Sequence, residues 1–472
     1  MKHSPRGTIS ALPDDALLEI FKFYVGQNYH ANSWHTLVHV CREWRYVVFA
    51  SPHWLHLELR CTNKSPAKKL LDIWPALPIV IDACITDSRR SDVTNIIAAL
   101  KRHDLVCRIN IWRVPNSLLK SAAMKKRFPE LTYLELVSME ENAPVIPNSF
   151  LGGSAPRLQS LEFRGIPCLF PAFGKLLLSA TDLVTLRLLD IPNSGTISPD
   201  LIVTTLSTLT RLQEFSIDFR SPRSRADRER RHPSLLKRLR LVLPSLAEFR
   251  FKGDSEYLED IVGRIDAPAL DRVTITFFDQ LFSDTPLLRD FFGRTEVFRE
   301  PPRAEISVHR ASIEFSLFQF EETVVYCMPV LLVTISSSLA GWQVSSLAQF
   351  CSSSLPPLPT LGRLSIHGYT CKCRYDDFRV PGAMERSQWL ELLRPFVTVE
   401  DLVIDTEIAS RVAPALQELT GNAMTEALPA LRRVFVDHFY LTVPIRDAFA
   451  PFITARQLSG HPVALYFCGR RL

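Results

Sequence analysis

The sequence predicts an α/β chain: a repeat solenoid preceded by a small all-α helical module. Three observations carry that prediction. A motif of spaced apolar residues recurs nine times, consecutive copies lie a few tens of residues apart, and residues 12–56 form a separate cluster with helical period. A chain of 472 residues exceeds the roughly 250–300 at which a single core stops growing, so it divides into domains or extends by repeats.

The motif reads P-x-L-x-x-L-x-L or a close variant. It starts at Pro129-Glu130-Leu131 with Leu134 and Leu136, then Pro156-Arg157-Leu158 with Leu161 and Phe163. It continues with Leu183, Leu186, Leu188; Leu212, Phe215, Ile217; Leu246, Phe249, Phe251; and Leu270, Val273, Ile275. The last copies are Leu361, Leu364, Ile366; Val399, Leu402, Ile404; and Leu431, Val434, Val436. From Leu134 to Val273 the middle positions step by 27, 25, 29, 34 and 24 residues, close to the spacing of leucine-rich repeats. Each copy predicts a short strand with alternate residues inward, preceded by a helical segment such as Leu347 to Phe350; one unit cannot cover its own apolar face, so neighbours stack. Ile79–Asp82 and Arg108–Trp112 begin the array, and Arg446–Leu458 with Val463–Phe467 close it. The 91 residues between Val273 and Leu364 leave room for about three irregular units over 278–358.

Residues 1–10 read as a flexible start, 11–60 as the helical module and 61–472 as the solenoid. In the module, Leu12-Pro13-Asp14-Asp15 starts a helix, because proline suits the first turn and carboxylates suit its positive end. Leu17, Leu18, Ile20, Phe21 and Tyr24 follow at helical spacing, and Gly26 predicts the stop. A second helix runs from Asn32-Ser33 through Trp34, Leu37, Val38, Cys41, Trp44 and Val48 to Ser51-Pro52, with Trp54 and Leu57 folding back. So few short helices cannot bury so many large side chains among themselves, and the surplus faces a partner.

The landmarks Leu12-Pro13, Leu17, Ile20-Phe21, Val40-Cys41-Arg42-Glu43-Trp44 and Ser51-Pro52 with Trp54 resemble an F-box. The rest is similar to the irregular leucine-rich repeats of F-box proteins numerous in mushroom-forming fungi, most closely at Gly341-Trp342-Gln343 to Pro357 and at Ala455–Pro462. The resemblance implies docking on a Skp-type adaptor through Leu12, Pro13, Leu17, Ile20, Phe21, Val40, Cys41, Trp44 and Trp54. Through that adaptor it implies attachment to a cullin–RING ubiquitin ligase, with the solenoid holding a protein substrate. A repeat scaffold without ligase docking is the alternative.

If the leucines point inward, the residues between them point to the concave side. That places Tyr133, Glu135, Glu162, Arg187, Glu214, Glu248, Arg250, Arg272, Arg363, Asp401 and Arg433 on one face, where mixed charge suits a protein better than a polyanion.

Other chemistry is thin. P-loop, dinucleotide, H-E-x-x-H and G-x-S-x-G motifs are absent, so neither catalysis nor a cofactor is expected. An enzyme site would have to lie in 278–358, where Ser336–Ser338 and Ser352–Ser354 are the only hint. Cys371-Lys372-Cys373 with His367 lacks the spacing and fourth ligand of structural zinc, so no metal is expected. The basic run Arg220–Arg240 reads as a solvated insertion on a chain of formal charge +5, and no nucleic acid is expected. Ten scattered cysteines, among them Cys84, Cys107, Cys168 and Cys468, read as reduced core thiols. The longest apolar run, Val324 to Ile335, is too short to span a bilayer, and a cytoplasmic or nuclear protein is expected.

Overall fold

The computed structural model describes residues 12–27, 33–64, 67–85, 90–139, 144–168, 172–195, 197–222, 240–278, 285–309, 311–320, 328–336, 340–368, 385–419, 426–437, 443–467 and 470–471. The chain forms two compact units, Met1–Thr185 with Ser194–Thr196, and Leu186–Asn193 with Ile197–Leu472.

The first unit opens with helices α1 (Asp14–Gln27), α2 (Ser33–Val38) and α3 (Arg42–Ala50). The single second helix read from the sequence is therefore two. Cys41 is extended, and its sulfur accepts the Trp44 amide at 3.4 Å, which caps a new helix instead of continuing the old one. Gly26 lies in the last turn of α1 rather than beyond it. Five parallel strands follow: β1 (Leu59–Cys61), β2 (Ile79–Cys84), β3 (Val106–Trp112), β4 (Tyr133–Val137) and β5 (Ser160–Arg164). β1, only three residues long, carries no periodic signal and was not expected. Ile109, Leu134 and Leu161 stand in register on neighbouring strands, all fully buried. Trp34 joins the helices to the strands by donating its ring N–H to the Glu58 carbonyl at 3.1 Å. Trp74, which the sequence pattern did not single out, packs against Trp34, His35, His39 and Phe49.

The second unit begins within β6 (Thr185–Ile191) and continues with β7 (Glu214–Phe219), β8 (Leu241–Val242), β9 (Glu248–Gly253), β10 (Ile265–Asp266) and β11 (Arg272–Phe277). After these come β12 (Arg303–Val308), β13 (Ser312–Phe318), β14 (Leu331–Ser336), β15 (Arg363–Gly368), β16 (Asp401–Asp405), β17 (Arg433–Asp437), β18 (Ala464–Phe467) and β19 (Arg470–Arg471). Several repeats share one backbone device: a carbonyl ahead of the strand accepts two consecutive amides of the next repeat. Gln213 takes those of Ala247 and Glu248, Gly362 those of Glu400 and Asp401, and Glu400 those of Arg432 and Arg433.

The irregular stretch holds three strands, but not as three repeats in sequence order. β11 pairs parallel with β14, β14 antiparallel with β13, β13 antiparallel with β12, and β12 parallel with β15. The three strands are thus inserted in reverse. The inward register still runs through them, as Val273, Leu331, Leu317, Ala304 and Leu364 on successive neighbours, each buried. Side-chain alternation has period two in either strand direction, so the core continues although the leucine motif is lost. The helix expected around Leu347–Phe350 spans Ala340–Ser353, and the closing helix spans Val443–Leu458. Its Arg456 is fully buried and donates through Nη2 to the carbonyls of Leu428, Pro429 and Leu431. Leu428 has a positive φ of 50°, so this arginine fastens the strained turn before β17.

Candidate functional site

Two surfaces stand out. On the helical module, Leu17 and Phe21 are fully buried, and Phe21 packs on half-buried Trp44 with ring centroids 4.7 Å apart. These side chains build the module rather than its surface. Leu12, Pro13, Ile20, Val40, Cys41 and Trp54 are exposed, Ile20 by 45% and Val40 by 55%. Trp54 lies under the Lys22 ammonium at 4.3 Å. Sequence reasoning missed two further exposed rings, Phe23 and Tyr46. Tyr46 lines a hollow of about 390 Å³ with Arg42, Arg45, Phe49 and Ala50. Their spacing on α3, opposite buried Val47 and Val48, was the available signal. Burial, aided by the charge of His39, holds the His35 pKa below its usual value.

The second surface is the strand face between the leucines. In the first unit, the Tyr133 hydroxyl donates to Glu135 at 2.6 Å, and Glu162 pairs with Arg164 at 3.0 Å. Burial, with the Glu135 hydrogen bond, pushes the Tyr133 hydroxyl up to about 12. In the second unit, Arg187 grips Glu214 through Nε and Nη2 at 2.7 and 2.8 Å. Glu248 is paired with Arg250 and Arg272, and Asp401 with Arg433 and Arg363. All eleven residues expected on this face take part in such pairs. Glu162 and Asp401 are themselves buried, so the acids support the arginines more than they face outward.

The hydroxyls of Ser352 and Ser353 donate to the helix carbonyls of Ala348 and Gln349, and Ser354 pairs with Thr285. The cavity beside them, about 570 Å³, is lined mainly by apolar side chains, among them Leu355, Pro356, Pro357, Leu358 and Pro359. His367 lies half-exposed on β15, while Cys371 and Cys373 fall outside the described residues. So do residues 223–239 of the basic run; Arg220, at its edge, pairs with Asp190. Cys168 is buried as read and Cys107 half-buried, but Cys84 is exposed at the end of β2, and Cys468 is outside the described residues. Among the described residues, no group of three or more His, Cys, Asp or Glu is placed to hold a metal, and no helix is long and apolar enough to cross a membrane.

The strand stacking defines an α/β repeat protein of leucine-rich-repeat-like fold. No family model and no curated protein matches the chain. Among solved structures it is similar to a leucine-rich repeat-containing protein, LegL7, from Legionella pneumophila. The identity is 12% and the TM-score 0.32, over 86% of this chain and 98% of that one. A likeness that weak adds nothing to what the strand register already establishes.

Proposed function

We propose that this chain is the non-catalytic substrate receptor of an SCF-type cullin–RING ubiquitin ligase. Its helical module docks on a Skp-type adaptor and its strand face holds a protein substrate. The observation that carries the reading is the module's division of labour. With Leu17, Phe21, Val47 and Val48 already filling its core, it still leaves Leu12, Ile20, Val40 and Trp54 in solvent. Surplus apolar surface on a short module marks a protein contact, and these four side chains are F-box-like landmarks. The receptor then raises the rate of ubiquitin transfer by proximity, not by bond chemistry.

Co-purification of the full chain with a Skp-type adaptor tests this. The intact chain is expected to capture the adaptor, and Ile20→Asp with Val40→Asp to lose it while remaining folded. Absence of capture by the intact chain, or capture unaffected by the double variant, overturns the ligase reading in favour of a repeat scaffold.

A further inference from the structure

The strand face of the second unit is nearly balanced in formal charge but not in depth. The Glu214 side chain is 14% exposed against 40% for Arg187, and Asp401 10% against 48% for Arg433. Glu248 is 20% exposed against 50% for Arg250. Asp190 and Arg220 are comparably exposed, and Arg303 is the deeper member of its pair with Glu305, 9% against 17%, so these two pairs do not share the pattern. A short carboxylate stays near the sheet while the longer arginine reaches over it. The face therefore presents guanidinium groups.

This arrangement meets aromatic rings across β12 to β18. Phe318, Arg303, Arg363, Asp401 and Arg433 form one row across β13, β12, β15, β16 and β17. The next row is Ser365, Val403, Phe435 and Tyr466 on β15 to β18. Phe435 and Tyr466 stack with centroids 4.9 Å apart at 19°, and Arg363 and Arg433 sit 5.9 and 6.0 Å from the Phe435 ring. Arg433 engages both oxygens of Asp401. Arg363 reaches that carboxylate only at 3.6 Å, longer than a hydrogen bond. Its planar fork is left available for a bidentate anion. Against Arg303, Arg363 and Arg433 stand Glu305 and Asp401, and the register sets Arg471 of β19 opposite Tyr466, so the two rows together carry two positive charges in excess.

We propose that this patch binds an acidic, aromatic-bearing peptide segment of a protein partner. The Arg363 fork takes an anionic group, carboxylate or phosphoryl, and an apolar side chain lies on the Phe435–Tyr466 stack. So small a surplus matches one or two such groups. It does not match a phosphodiester chain, whose binding draws on many cations at once. The proposal rests on the receptor reading only in taking the strand face as the place where a partner is held.

Fluorescence anisotropy of the full chain, without adaptor, tests it. The probes are a fluorescein-labelled peptide of alternating Glu and Tyr, the same peptide with phosphoserine in place of Glu, and oligouridylate as competitor. Binding of at least one peptide is expected, and the tighter of the two identifies the anion. Arg363→Gln should weaken it about tenfold, and Tyr466→Leu by a smaller factor. Arg157→Gln, at a surface pair with Glu130 in the first unit, should leave it unchanged. Arg363→Gln keeps the Arg433–Asp401 pair, and Tyr466→Leu reports on the patch independently. Failure of both peptides to bind overturns the proposal, as does equal weakening by Arg157→Gln or displacement by oligouridylate at peptide concentrations. Adaptor capture is read separately, so loss of capture with peptide binding intact sinks only the ligase reading, and the converse sinks only this one.

Discussion

The helical module and the strand stacks treat the same residue types in opposite ways. In the stacks, large aliphatic side chains at the motif positions are buried, and the strand-face residues between them are mostly charged and mutually paired. In α1 to α3, the core fills with a few large side chains while Ile20, Phe23, Val40 and Tyr46 stay in solvent. The inward face of a repeat strand is covered by the helical segments and neighbouring repeats, so its inward apolar positions are buried. A three-helix module has too little interior to cover its own surplus. Exposed apolar residues occur singly along the stacks as well, among them Trp342, Val397 and Leu458, whereas the short module alone carries Leu12, Ile20, Phe23, Val40, Tyr46 and Trp54.

The difference can be broken at several points. Truncating a stack leucine has the largest expected effect. Leu402→Ala, at a fully buried position, should cost about 2–5 kcal/mol, read from the denaturation midpoint; a loss below about 1 kcal/mol would mean the stack is not the stabilising core. Arg456→Met comes next. It leaves three carbonyls around the Leu428 turn without their donor, and a cost of about 1–3 kcal/mol is expected. Unchanged stability would show that the turn holds without the clamp.

The module should also respond to pH. His35 is held below its usual pKa, first by burial and then by His39. The unfolded chain therefore takes up the proton at higher pH than the folded one. Stability is fully present above about pH 6.5 and declines as pH falls below it toward the folded value. An acid titration followed by the fluorescence of Trp34 and Trp74 should show this loss, and His35→Gln should flatten it. The smallest effect on stability belongs to Ile20→Ala, expected within about 0.5 kcal/mol although adaptor capture weakens. A large destabilisation would make Ile20 a core residue and erase the contrast between the regions.

The sequence alone determined which positions of the regular repeats go in. Leu134 and Leu136, and their counterparts in later copies, announced buried strand positions because side chains alternate with period two and neighbouring units must cover one another. The exposed landmarks of the module were legible for a related reason: their number exceeds what short helices can hide. Tertiary structure decided the rest. The order β11, β14, β13, β12, β15 was hidden because alternation is the same in either strand direction. The break at Cys41 turned on one sulfur meeting one amide, which helical spacing does not encode. Trp74 acquired its partners only when helices and first strands met. The face lettered as a mixed ladder became an arginine-presenting one because depth depends on which side chain is long enough to reach over its partner, and that is settled only once Asp401 and Arg433, 32 residues apart, stand side by side.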